Sequence, residues 1–149
     1  MTGSITLAVV GGGSTYTPEL ADGIARLHAT LPVGRLVLVD PDVERASIVA
    51  GMSRRILTAA GVPCLVEATD DLEAAAAEAD AVLLQLRVGG QAARDRDEHW
   101  PLDCGCIGQE TTGAGGLAKA MRTIPVVLDI AARVAAVNPD AWIVNFTNP

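Results

Sequence analysis

Five short apolar runs punctuate the chain, and between most of them lie stretches whose apolar residues recur at helical spacing. The runs are "ITLAVV" (5–10), "RLVLVD" (35–40), "CLVEAT" (64–69), "DAVLLQL" (80–86) and "AWIVNFT" (141–147). Each is short enough, and bounded sharply enough, to be a buried strand. Between the first two, Pro18–Leu31 places Leu20, Ile24, Leu27 and Leu31 on one helical face. Val43–Ala60 is a second helix, stopped by Gly61, and "DLEAAAAEA" a short third. Strands that alternate with helices predict a parallel sheet covered on both faces, so the expected fold is a Rossmann-like, doubly wound α/β domain. Residues 87–116 break the rhythm. They are polar, rich in glycine and dense in charge, with no clean strand and one short helix around residues 90–98. Leu117–Val137 is again helical, with Pro125 expected to kink it or to mark a new start.

A chain of 149 residues that is half apolar is expected to form one domain, residues 1–149, with a sizeable core. Eleven basic against eighteen acidic residues leave a net charge of −7, which argues against nucleic acid and anionic membrane as partners. No apolar run is long enough to span a bilayer, and the first residues carry no basic flank or cleavage-like site. Three cysteines, an odd number, fit reduced thiols in a cytoplasmic protein. Cys104 and Cys106 form a C-x-C pair, but with two histidines in the chain no zinc ligand set emerges, and no metal site is expected within it. The closing "NFTNP" follows a strand whose carboxyl end should lead into a site, so the sequence is expected to continue in a longer protein.

The first strand opens into "VVGGGSTYT". Gly11 permits a tight turn, and Gly13 lets a pyrophosphate approach the backbone. Ser14 and Thr15 lead into a helix whose N-terminus offers N–H donors and a positive dipole end. The dinucleotide fingerprint asks for a third glycine where this chain has Tyr16. Asp40, closing the second strand, supplies the acid that would accept hydrogen bonds from the adenosine ribose and repel a 2′-phosphate. It lies 27 residues beyond Gly13 rather than roughly 20. The expected cofactor is therefore NAD, bound at Gly11, Gly12, Gly13, Ser14, Thr15 and Asp40. An ordinary turn beside a solvated aspartate, or a mononucleotide site, fits the same residues.

The stretch from residue 87 gathers Arg87, Arg94 and Arg96 as candidate anion binders, and Asp95, Asp97, Glu98 and Glu110 as candidate acids or bases. Arg94 and Glu98 stand at i and i+4. A salt-bridged exposed face is the simpler expectation for Asp95, Arg96, Asp97 and Glu98. Glu110, alone among small residues in "GQETTG", suits the wall of a site.

Five motifs in order, "GGGSTYTPEL", "RVGGQAARDRDE", "GCIGQETTGAGG", "KAMRTIPVVLDIA" and "DAWIVNFTNP", resemble the N-terminal part of family 4 glycoside hydrolases, in particular their 6-phospho-β-glucosidase branch. The resemblance covers essentially the whole chain and departs at Ala114, where the family more often has proline. It implies a lactate/malate-dehydrogenase-like NAD-binding domain and an exceptional glycosidase chemistry. In that chemistry NAD transiently oxidises the sugar C3 hydroxyl with the help of Mn²⁺ or another divalent metal. A tyrosine then removes the acidified C2 proton, the aglycone leaves, water adds, and the hydride returns. Carried over residue by residue, Arg94 and Asn148 match substrate-binding positions, with Asn145 and Arg87 as further substrate contacts. Glu110 matches the position that raises the basicity of the tyrosine. The metal ligands and the tyrosine itself are expected beyond residue 149, so this stretch alone should not turn over substrate. The implied partner is a phosphorylated disaccharide or β-glucoside, and a homo-oligomer is expected at full length, where something covers the apolar edge near Trp142. A hydroxy-acid dehydrogenase of the same superfamily, or a non-catalytic NAD-binding domain, are the alternatives.

Overall fold

Hydrogen-bonded strands form at all five apolar runs. In the computed structural model, which describes residues 3–147, they are β1 (Ile5–Val10), β2 (Val33–Val39), β3 (Leu65–Thr69), β4 (Ala81–Leu84) and β5 (Trp142–Asn145). All pair in parallel, in the order β3-β2-β1-β4-β5. Leu7 of β1 pairs with Leu36 of β2 and with Ala81 of β4, which sets the apolar residues of the central strands in rows. The helices are α1 (Thr17–Leu27), α2 (Val43–Ala59), α3 (Leu72–Ala77), α4 (Gly90–Asp103) and α5 (Gly113–Val137). The doubly wound α/β architecture read from the sequence is the observed one. No helix among the described residues is long and apolar enough to cross a membrane.

The chain forms two compact units. One holds the chain as far as Leu86 together with Arg133–Asn145, and the other is built around Arg87–Ala132. In the first unit Leu7, Val9, Ile24, Leu36, Leu38, Leu57 and Val66 make the core. Each fully buried leucine contributes about 2 kcal/mol through removal from water. Aspartates start two of its helices: Asp42 accepts from the Arg45 N–H and Asp71 from the Ala74 N–H, satisfying donors that a helix N-terminus leaves open. The interior of the second unit is more polar, with Asp97, Lys119 and Thr123 buried beside Ala93.

Several boundaries differ from the sequence reading. α1 ends at Leu27, and Leu27 and Leu31 are exposed rather than on its buried face. Pro32 disfavours helical backbone at Leu31, and the chain must extend to enter β2 at Val33. The irregular stretch is shorter than expected. α4 runs to Asp103 and α5 begins at Gly113, because the face α4 buries is Ala93, Asp97 and Pro101, and one charge among three positions erases the apolar period. Of the two expectations for Pro125 a new helical start is excluded, since α5 continues through it to Val137. β5, at the sheet edge, is exposed along all four residues.

Candidate functional site

In the first unit, candidate residues gather where the strands end. The sheet order reverses between β1 and β4, and in open α/β sheets ligands bind at the carboxyl ends of strands beside such a reversal. Gly11 turns there with φ +83°, a backbone that favours glycine, and its N–H and that of Gly12 both donate to the Val39 carbonyl. A methyl group on Gly12 would stand 2.6 Å from Cβ of Leu38, so this glycine permits the turn to lie against β2. The Gly13 N–H donates to Oδ2 of Asp40 at 2.9 Å, and the Asp42 N–H donates to the other carboxylate oxygen at 3.0 Å. The acid at the end of β2 is thereby oriented by two backbone donors and closes onto the glycine turn across 27 residues. Each of its oxygens keeps a second lone pair for a ligand hydroxyl.

Tyr16, where a third glycine was sought, is the N-cap of α1 and makes no side-chain capping bond. It is exposed. The helix packs through Thr17, Ala21 and Ile24 instead, so no small residue is needed at position 16. Thr17 donates to the Gly12 carbonyl at 2.9 Å, and Gln85 donates both to Thr17 Oγ1 at 2.6 Å and to the Gly11 carbonyl at 3.3 Å. This brace escaped the sequence reading. Its one visible sign is a glutamine closing the otherwise apolar run "AVLLQ". Ser14 bonds back to the Gly11 carbonyl through its N–H, and Thr15 is exposed in the same turn. Asn145 ends β5, in register with Leu84 of β4. Asn148 lies outside the described residues.

In the second unit, Glu110 is the centre. Arg87 and Lys119 both donate to its Oε1, Lys119 at 2.6 Å, and Arg94 stands 3.1 Å from Oε2. Arg94 also bonds Glu98 at 2.7 Å, the i, i+4 pair read from the sequence. Burial pushes the Glu110 carboxyl up, but hydrogen bonds from Lys119 and Arg87, and their charges, outweigh it and hold the group below its ordinary value. Glu110, alone among small residues in the sequence, thus has three partners in space. Asp97 is a correction. It was expected on an exposed face, yet it is buried and receives both terminal nitrogens of Arg122, Nη1 to Oδ1 at 3.3 Å. Asp95 and Arg96 are exposed, as expected. Four cations (Arg87, Arg94, Lys119, Arg122) face three carboxylates (Glu98, Glu110, Asp97), a local excess of positive charge in an acidic chain. Lys119 and Arg122 were not singled out, although they stand i, i+3 in "KAMRTIP". Among the described residues no group of three or more His, Cys, Asp or Glu side chains could hold a metal ion. Cys64, Cys104 and Cys106 are all free thiols.

Comparison with known proteins gives a consistent result. The 6-phospho-beta-glucosidase of Escherichia coli (strain K12) is 45% identical over the whole chain, which corresponds to 34% of that protein. Among solved structures, the 6-phospho-beta glucosidase from Thermotoga maritima with NAD and glucose-6-phosphate superposes with a TM-score of 0.90 at 38% identity, over 99% of this chain and 34% of that one. A 6-phospho-alpha-glucosidase from gut microorganisms in complex with NAD and Mn²⁺ gives 0.92 at 35% identity, over 99% of this chain and 34% of that one. The chain therefore spans about a third of the length of the relatives it matches. Malate and lactate dehydrogenases, at 16% identity, share the fold. The sequence pattern described as "Family 4 glycosyl hydrolase" matches residues 6–149, and the chain belongs to that family.

Proposed function

We propose that this chain is the NAD-binding part, residues 1–149, of a longer enzyme that hydrolyses 6-phospho-β-glucosides with NAD and a divalent metal. The single observation that carries the reading is the Gly11-Gly12-Gly13 turn closed onto Asp40 in a chain of this family. The turn and the start of α1 fit a dinucleotide, because they pair close backbone approach with the positive end of a helix. Gly13 lets the pyrophosphate approach the turn that Gly11 and Gly12 shape, Ser14 and Thr15 flank it, and Asp40 accepts from the adenosine ribose hydroxyls and repels a 2′-phosphate. Bound NAD supplies a hydride acceptor for the sugar C3 hydroxyl, which makes the neighbouring C2 proton removable.

Arg94, the most exposed of the cations that surround Glu110, binds the sugar phosphate or ring hydroxyls, with Arg87, Asn145 and Asn148 as further substrate contacts. Glu110 raises the basicity of a tyrosine contributed by sequence beyond residue 149. No step assigned to these residues runs through a metal ion, whose ligands are expected in the same further sequence. The β-anomer is preferred because the curated relatives at 45–48% identity carry 6-phospho-beta-glucosidase names, while those named for α-linked substrates stand at 33–38%. Three free thiols support a cytoplasmic setting. A homo-oligomer of the complete protein is part of the same reading.

The test is cleavage of p-nitrophenyl β-glucoside 6-phosphate by the complete protein, with NAD and Mn²⁺ each omitted in turn and the α-anomer run in parallel. Loss of activity on either omission is the expected result. Activity without NAD overturns the oxidation step, and cleavage of the α-anomer alone overturns the β assignment.

A further inference from the structure

We infer that α5 carries a pair of positioning residues, Lys119 and Arg122, one helical turn apart, which fix where Glu110 and the arginines Arg87 and Arg94 stand. This rests on the reading of those three residues as part of a sugar site. Lys119 is 5% exposed, and a buried ammonium is costly unless paired; an apolar side chain would fill the same space at less cost. Its Nζ lies 2.6 Å from Glu110 Oε1, the oxygen that also receives Arg87. Lys119 therefore pins the carboxylate from α5 while Arg94 reaches it from α4 and Arg87 from the segment before α4. Glu98 holds Arg94 in turn.

Arg122 acts on the same group from another side. It forks onto buried Asp97 of α4, and its Nε donates to the Val88 carbonyl at 3.0 Å. Val88 lies between Arg87 and Gly89, and Gly89 turns with φ +83° directly under the guanidinium. A methyl group at Gly89 would come within 3.3 Å of that Nε. All three nitrogens of Arg122 are thus engaged, and the backbone from which Arg87 projects is tied to α4 and α5 at once. A lysine at 122 would keep the charge and lose the fork. The motif "KAMRTIP" thereby gains a purpose: it places both cations on one face of one helix.

The experiment measures kcat and KM for p-nitrophenyl β-glucoside 6-phosphate, NAD affinity and melting temperature in the complete protein, for wild type, Lys119→Met, Lys119→Arg, Arg122→Lys and Arg122→Met. Lys119→Met is expected to lower kcat/KM on the order of 100-fold, with about a tenth of wild-type activity restored in Lys119→Arg. Arg122→Lys is expected to raise KM about tenfold while kcat stays within about threefold, and Arg122→Met to lose both. NAD affinity stays near wild type throughout. Losses that follow melting temperature alone, with NAD affinity falling in step and no rescue by Lys119→Arg, overturn the pair, as do variants that match wild type. A wild-type protein that binds NAD but leaves the substrate intact overturns the underlying reading, and the pair's purpose with it.

Discussion

At position 13 a hydrogen atom stands where any other residue would place a methyl group 2.8 Å from Asp40 Oδ2 and 3.1 Å from its Cγ. Gly13→Ala must therefore push the carboxylate aside and break the 2.9 Å bond that orients it. Calorimetric titration should show NAD affinity falling about 10- to 100-fold, on the usual scale for a misplaced charged contact. Asp40→Ala should weaken NAD about tenfold and raise the affinity for NADP relative to NAD. An unchanged NADP-to-NAD ratio would remove Asp40 from the ribose. Thiol labelling followed by peptide mapping gives a second residue-level check. Cys104 and Cys106 are exposed, whereas burial pushes the Cys64 thiol up, so Cys64 should react last. The turn and Asp40 were legible because their meaning is local: a strand end, three glycines, an acid at the next strand end. Gln85 was not, since its partners Gly11 and Thr17 lie 74 and 68 residues away.

Elements explain what single residues do not. "GAGG" follows Glu110 closely in the sequence, and two of its glycines are contact points. A methyl group on Gly115 would lie 2.2 Å from the Asp97 carbonyl of α4 and 2.3 Å from that of Gln109, and one on Gly116 would lie 2.6 Å from the Thr111 backbone. Without them α5 could not approach near enough for Lys119 and Arg122 to reach their acids. Gly115→Ala should cost about 2 kcal/mol in chemical denaturation, the scale of overpacking in a filled interior, and should weaken substrate binding without touching NAD. Intact substrate affinity in a destabilised variant would separate packing from site geometry. α4 shows why part of this was hidden in the sequence. Arg94 and Glu98 announce themselves four residues apart, but Asp97, between exposed Arg96 and half-buried Glu98, is buried only because Arg122 arrives from 25 residues away.

For the molecule as a whole, the topology was the most legible feature, because alternation of strand and helix with right-handed crossovers leaves few ways to order five parallel strands. Stability against acid follows from the ion pairs. Glu110 is held below its ordinary 4.5, so its pairing stabilises the fold above that pH and is lost as pH falls through the lowered value. Glu73, lowered chiefly by its hydrogen bonds from Arg133, acts in the same direction. Melting temperature should therefore fall as pH drops below the ordinary carboxylate value of 4.5, and Glu110→Gln should flatten that fall. A variant with the wild-type pH profile would show that the carboxylate's neighbours carry no net weight. β5 has a consequence of another kind. Trp142, Ile143 and Val144 carry no lysine, proline or bulge, and among the described residues one side of that strand has no neighbouring strand. Such a border is a template on which further strands can grow, so a concentrated solution of this chain alone should scatter light increasingly with time. A single Val144→Lys gatekeeper should slow that growth while leaving the glycine turn as it is.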